Sequence, residues 1–378
     1  MPDIIYLDHA ATSWPKPPDV EAHMLRCLRE LFANAGRSAH HAALESARLL
    51  FGVRTRLATL FGAPNPAHVV FTRGATESIN LVLKGFLRQG DRVAVSPLEH
   101  NAVMRPLARL TREHGIVVDT LPADPLGRVD VGSLAGLDGR YRLVVVAHGS
   151  NVNGLVQDIG AIARALPTTP ILLDAAQTAG VVPINVAVDR IAFLACSAHK
   201  GLLGPTGVGA CVLSPDLDVA PLIEGGTGSQ SESTDQPDFA PDRYEAGTLN
   251  LHGIAGLGGS LAHIERHGLL GDTKRRLTTR LLDGLADIPG IRTVSPTDGT
   301  ALVASFTLAG TPPDRVALAL ERHHGVLCRP GLHCAPAAHR HLGTLPQGTV
   351  RLSPGFGNSE ADVDHAVRAV HAIATTQH

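Results

Sequence analysis

The stretch "CSAHKGLLGPTGVG" (196–209) sets one lysine, Lys200, among small and apolar residues. The residues before it, "IAFLACSA", read as a buried strand, and four glycines and a proline follow it. A buried ammonium lowers its pKa readily, which suits a Schiff-base amine; a structural ion pair is the ordinary alternative. Asp174 closes the apolar run "LLDAAQ" (172–177), with Gln177 three residues on. A carboxylate there is costly unless a cation or strong donor meets it. In "TRGATES" (72–78), Gly74 frees the backbone, Thr76 is placed to cap a helix, and the helix start offers unpaired N–H groups. Such a turn can hold a phosphate, although an ordinary capped helix uses the same residues. Cys334, in "CRPGLHCAP", lies in a stiff loop near Arg329 and His333. A cationic, partly exposed surrounding raises a thiol's thiolate fraction. Cys27, Cys196, Cys211 and Cys328 lie in apolar contexts and read as small buried hydrophobes.

These groups need elements to bring them together. Seven short apolar runs read as strands: 68–72, 91–96, 115–121, 142–148, 170–175, 191–197 and 208–214. Most are apolar throughout, as in a mostly parallel sheet buried on both faces. Helical spacing lies between them. Val20, Met24, Leu28 and Leu31 form one stripe, and Ile79, Val82, Leu83 and Phe86 another, with Gly90 as a stop. The pattern breaks over 215–250, which is glycine-rich, polar and acidic. By composition it suits a linker, but a loop this long inside a globular chain is usually functional. A long helical pattern then covers 251–287. The expected organisation is an α/β chain: a segment 1–15, a large domain 16–250 and a smaller α+β domain 251–378.

Composition limits the function classes. With 378 residues, 44% of them hydrophobic and 18% charged, the chain can build a large core. A net charge of −2 argues against nucleic acid and membrane surfaces as partners. Five cysteines without repeated spacing form no disulfide framework, and the N-terminus lacks signal-peptide features. A cytoplasmic protein with reduced thiols is expected.

In open α/β sheets, ligands lie beyond the C-terminal strand ends. A phosphate site, a buried carboxylate and a buried lysine at one sheet edge suit pyridoxal 5′-phosphate. Its phosphate needs a helix start, its aldehyde a lysine, and its ring nitrogen a carboxylate.

Nine motifs carry a resemblance. "YLDHAATSWPKP", "TRGATESINLV", "LEHNAVMRPL", "HGSNVNGLVQDI", "LLDAAQTAG", "SAHKGLLGPTGVG", "YEAGTLN", "RPGLHCAP" and "VRLSPGFGN" run in order through nearly the whole chain. Together they resemble class V aminotransferase-fold enzymes of the cysteine desulfurase and selenocysteine lyase family. The resemblance implies the pyridoxal-phosphate transferase fold of type I, with a mostly parallel seven-stranded sheet in the large domain and a smaller α+β C-terminal domain. It implies that Lys200 holds the cofactor aldehyde, Asp174 the ring nitrogen and Gln177 the ring hydroxyl, while His100 stacks on the ring. Ala75, Thr76, Ser197 and His199 would hold the phosphate. Gly247 and Thr248 would reach it from a neighbouring subunit of a homodimer. Asn151 would sit beside substrate and ring, and Arg351 would clamp the substrate carboxylate. Ala10 and Ala11 would line the pocket, and His40, Arg329 and more weakly Arg37 would contact substrate. Cys334 would be the nucleophile, on a compact loop like that of group II desulfurases. His9 stands where many relatives carry asparagine or serine. No metal is implied. The expected reaction turns L-cysteine into L-alanine and a persulfide on Cys334, passed to an acceptor protein, as in iron–sulfur cluster assembly. Alternatives are a selenocysteine lyase acting on L-selenocysteine, another C–S lyase of the fold, or a non-catalytic binding subunit.

Overall fold

The structure is a computed structural model that describes residues 4–31, 33–36 and 40–376. A short strand β1 (Ile5–Tyr6) precedes helices α1 (Pro18–Glu30) and α2 (His41–Phe61). Strand and helix then alternate: β2 (Val69–Thr72), α3 (Ala75–Phe86), β3 (Arg92–Val95), α4 (Asn101–His114), β4 (Val117–Thr120) and β5 (Leu143–Ala147). Helix α5 (Ile159–Ala165) leads to β6 (Ile171–Asp174), β7 (Phe193–Ser197) and β8 (Gly209–Leu213). These seven strands after β1 are the seven expected runs. They form one sheet in the order β2-β8-β7-β6-β5-β3-β4, parallel except for β8.

The apolar runs follow from burial on both faces. In β5, Leu143 and Val145 enter one apolar cluster while Val144 and Val146 enter the other. In β6, Leu172 faces the first cluster, and Ile171 and Leu173 the second. Side chains alternate along a strand, so only a sheet covered twice needs such unbroken apolar runs. Strand β4 departs from this: it is the sheet edge, and Val117 is exposed.

The C-terminal part adds α6 (Leu251–His267), α7 (Gly271–Ala286), β9 (Ile291–Thr293), β10 (Ala304–Leu308), α8 (Pro313–His324) and β11 (Val326–Leu327). It closes with β12 (Arg329–Gly331), α9 (Pro336–His341), β13 (Thr349–Leu352) and α10 (Glu360–Thr375). Strands β12-β13-β10-β9 make an antiparallel sheet. Its apolar face packs with α7, α8 and α10 in a separate cluster. Strand β1 pairs in parallel with β11, and the Ser13 N–H and hydroxyl both donate to the His199 carbonyl (2.8 and 3.1 Å). The N-terminal segment thus ties the small sheet to the Lys200 loop.

Four expectations change. The helical pattern 251–287 is two helices, parted at Gly268, whose φ of +82° ends α6. By core contacts α6 belongs with the large sheet rather than with the small unit: Ile254, Leu257, Leu261 and Ile264 join the cluster on that sheet's face. Helix α3 stops at Phe86, before Gly90, and in α1 the stripe residue Leu28 is 58% exposed. No helix or strand forms between β8 and α6. Glu245 anchors that segment through a buried bidentate pair with Arg54 (2.8 Å to each nitrogen) and the Phe71 N–H (2.7 Å). Among the described residues no helix is long and apolar enough to cross a membrane.

Candidate active site

Beyond the C-terminal ends of β5, β6 and β7 lies a cavity of about 230 Å³. Ten of the expected residues line it: Ala11, Ala75, Thr76, His100, Asn151, Asp174, Gln177, Ser197, His199 and Lys200. Strand ends and the turns after them supply most of these, which is why residues far apart in sequence meet here.

Lys200 follows β7. Burial pulls its pKa below the ordinary lysine value; Asp174 opposes this, while Arg351 and Arg329 add to it. Cys334 also acts on it, in the direction of Asp174. Asp174 ends β6, and its Oδ1 accepts the Ala176 N–H at 2.9 Å. Burial raises its pKa, while that N–H and Lys200 pull it back. His100 caps α4, its Nδ1 accepting the Ala102 N–H at 3.0 Å. The neutral ring therefore carries its proton on Nε2. Burial, with Lys200, Arg329 and Arg105 nearby, pushes the pKa down to about 4.

The turn before α3 is close-packed. Ala75 donates its N–H to Ser197 Oγ at 2.9 Å. A Cβ on Gly209 would meet Gly74 Cα at 2.5 Å, and Gly74 itself has φ +150°. Both positions need glycine. The N-cap is Gly74, with no side-chain cap, so Thr76 does not cap the helix; it lies inside the first turn and is exposed. Thr76 falls two residues too late because Gly74 already takes the non-helical cap conformation.

The Cys334 loop hangs from β12. Cys334 is exposed, and Arg329 Nη2 donates to its Sγ at 3.4 Å. Arg329 and Arg351 face each other across β12 and β13. Arg351 is fully buried. Its Nη1 donates to the Asn151 carbonyl (2.8 Å) and its Nη2 to Asp8 Oδ1 (2.6 Å), while Nε is buried without a partner among the described residues. Asn151 Nδ2 donates to the His333 carbonyl at 2.7 Å. Asn151 thus joins the cavity to the loop. The other four cysteines are free thiols, buried or partly buried, and burial pushes Cys196 and Cys328 up to about 12.

Some expected residues lie elsewhere. Gly247 and Thr248 are exposed and line a separate groove of about 610 Å³, not the Lys200 cavity. His40 is exposed and caps α2 through Nδ1, which accepts the Ala43 N–H at 3.3 Å; that capping bond holds it at the helix start, away from the residues lining the cavity. Arg37 lies outside the described residues. Ala10 is buried beside the cavity and accepts a hydrogen bond from Gln177 Nε2 (2.9 Å).

Four residues were not singled out in the sequence. Asp8 pairs with Arg351. Glu99 is fully buried, and burial raises its pKa to about 8, with Asp174 adding to the rise. Lys16 donates to Ser13 Oγ and the His199 carbonyl (2.7 and 3.1 Å), and burial lowers its pKa to about 8. His339 packs behind the Cys334 loop and bonds to His333. Glu99 had a readable signal: like Asp174 at the end of β6, it is an acid on the C-terminal side of an apolar strand.

The donor set suits pyridoxal phosphate. The start of α3 is free of a side-chain cap, and His199 Nδ1 is buried without a partner among the described residues beside it. A buried carboxylate and a lysine with lowered pKa complete the set. The family model for Aminotransferase class-V matches residues 5–366. A probable cysteine desulfurase of Methanothermobacter thermautotrophicus is 35% identical, over 98% of this chain and 95% of the relative. The apo structure of a cysteine desulfurase from Thermococcus onnurineus superposes with a TM-score of 0.93 at 30% identity, covering 99% of this chain and 95% of that one. A cysteine desulfurase structure from Escherichia coli gives 0.88 at 31% identity, with the same coverage of each chain. Matched over nearly its whole length in sequence and in fold, the chain belongs to the class V aminotransferase family.

Proposed function

We propose that this chain is a cysteine desulfurase: it converts L-cysteine to L-alanine and leaves the sulfur as a persulfide on Cys334, for an acceptor protein. The observation that carries this reading is the placement of Cys334. Its thiol is exposed and hydrogen-bonded by Arg329, and it lies close enough to Lys200 to bear on that amine.

Class V aminotransferases and cysteine desulfurases depend on pyridoxal phosphate. Lys200 would anchor it, Asp174 would face its ring nitrogen, Gln177 its ring hydroxyl and His100 its ring face. The start of α3, Ser197 and His199 would hold the phosphate. When bound, the cofactor supplies an electron sink for charge at the substrate Cα. Arg351 and Asn151 would orient the substrate. The Lys200 amine, disfavoured as an ammonium by burial, would take the Cα proton. The Cys334 thiolate then attacks the substrate sulfur; an S–S bond forms as the Cβ–S bond breaks, and the carbon skeleton takes up a proton. Cysteine and one Cys334 thiol thus give alanine and one persulfide, without an external oxidant. A reactive thiol of this kind suits a reducing cytoplasm.

A homodimer belongs to the same reading. Leu28 and Phe51 are 58% and 65% exposed and line the groove that holds Gly247 and Thr248. A second subunit seated there would cover both and carry Thr248 toward the phosphate of its neighbour.

The test is product identity from L-cysteine with wild type and Cys334→Ser, with mass spectrometry of the loop peptide. Alanine from wild type, one added sulfur on Cys334 and a silent serine variant are expected. Pyruvate and ammonia from both proteins, with no adduct, would replace the reading by an eliminating lyase. Turnover of L-selenocysteine alone would make it a selenocysteine lyase.

A further inference from the structure

Behind Cys334 runs a buried chain of side chains that the reaction does not use. His333 and His339 are 2% and 0% exposed. His333 Nε2 lies 3.0 Å from the Arg329 carbonyl, and its Nδ1 lies 3.3 Å from His339 Nε2. His339 Nδ1 lies 2.7 Å from Thr344 Oγ1.

One carbonyl fixes every proton in this chain. The Arg329 oxygen can only accept, so His333 carries its proton on Nε2. The neutral ring leaves Nδ1 bare, so His339 donates from Nε2. His339 Nδ1 is then bare in turn and accepts from the Thr344 hydroxyl. Burial keeps both rings neutral, with His333 pushed down to about 3 and His339 to about 4.

The backbone shows why such bracing matters. His333 and Cys334 are consecutive residues with positive φ, +50° and +58°. Side-chain-bearing residues avoid this region, and two in succession persist only where their surroundings over-determine them. The Asn151 amide holds the His333 carbonyl, and the Asn101 N–H donates to the Cys334 carbonyl at 2.9 Å. The His333 ring spans the loop from tip to root, ending on Arg329, the residue that meets Cys334 Sγ. The far end of the chain rests on α9 and on Thr344 beyond it.

We propose that His333, His339 and Thr344 form a positioning relay that locks the left-handed turn and holds Cys334 Sγ on the Arg329 guanidinium. It rests on the reading of Cys334 as the nucleophile. All three act through the loop, without touching substrate.

The experiment compares His339→Leu, His339→Gln and Thr344→Val in the cofactor-loaded enzyme. Alkylation of Cys334 by iodoacetamide at pH 7 is followed on the loop peptide, and kcat and KM for L-cysteine are measured in parallel. His339→Leu removes the donor to His333. It should slow alkylation and lower kcat by up to about tenfold, the most that one hydrogen bond between neutral groups is worth, with KM and the cofactor's visible spectrum unchanged. His339→Gln keeps an N–H toward His333 Nδ1 and should retain most of both rates. Thr344→Val leaves both rings in place and should give a smaller loss in the same direction, which decides the matter if His339→Leu does not fold. Alkylation at or above the wild-type rate in His339→Leu and Thr344→Val would overturn the relay. So would a glutamine variant as impaired as the leucine one, which would leave only packing. If wild type makes no alanine from cysteine, the desulfurase reading fails, while the alkylation rates still decide whether the relay holds the loop.

Discussion

Arg351 is the site residue with the least freedom. It is fully buried on β13, opposite Arg329, with two nitrogens engaged and Nε without a partner among the described residues. A substrate carboxylate would take Nε and share Nη2 with Asp8, so Asp8 holds the fork open in one orientation before substrate arrives. A lysine keeps the charge but offers one point donor in place of the fork. We expect Arg351→Lys to raise KM for L-cysteine by about tenfold or more, matching a charge-assisted hydrogen bond of roughly 1.5–3 kcal/mol. The cofactor's visible spectrum should not change. Steady-state kinetics with an unchanged KM would place the carboxylate on another residue. Arg351 was legible only through its motif's resemblance, which implies a clamp on the substrate carboxylate. Asp8 was not, since its partner lies 343 positions away and only the fold reveals the pairing.

At the level of elements, Glu99 joins two strands where their ladder opens. Its Oε1 accepts from the Ser96 hydroxyl (2.6 Å), just past β3, and from the Ala147 N–H (2.7 Å) at the end of β5. Oε2 is buried with no partner among the described residues. Burial raises the pKa to about 8 from an unfolded value near 4.5. The folded chain therefore binds the extra proton between these limits, and Glu99 costs no stability below pH 4.5. The cost grows as pH rises to about 8, where the folded state ionises as well, and is constant above that. Glu99→Gln cannot ionise. Its melting temperature relative to wild type should climb from pH 5 to pH 8 and then level off; calorimetry showing a flat difference would mean that Glu99 is ionised in the fold. The strands themselves were legible because a doubly covered sheet writes its burial into unbroken apolar runs, and the residues at the ends of those runs supply most of the candidate site. The packing of α6 was not legible. Its buried face carries glycines such as Gly256 and Gly259, against which Met24 and the Asp19 carbonyl pack closely, and glycine carries no hydrophobic signal.

At the scale of the whole molecule, the proposed homodimer would account for both the exposed Leu28 on α1 and the distant Thr248. Leu28 and Leu31 end the helical stripe read from the sequence, and they border the 610 Å³ groove with Phe51 and Thr248. Among the described residues, Thr248 Oγ1 accepts one long hydrogen bond, from Asn34 Nδ2 (3.4 Å). In the proposed homodimer a second copy would supply the apolar surface to fill this groove, which is apolar and rimmed by polar groups. Two variants separate assembly from cofactor contact. Phe51→Lys places a charge in the groove and should give a monomer by sedimentation, with cofactor affinity lost alongside. Thr248→Val keeps the shape and removes one hydroxyl. It should stay dimeric while cofactor affinity falls by roughly 1.5–3 kcal/mol, the worth of a hydrogen bond to an anion. Mixing inactive Lys200→Ala subunits with Thr248→Val subunits gives the sharpest form of the test. In the mixed dimer one site joins the intact Lys200 to the intact Thr248 of its neighbour, so affinity at that site should return to the wild-type value. A fully active Phe51→Lys monomer, or mixed dimers with no recovered site, would mean that each chain completes its own site and that Thr248 serves the groove alone.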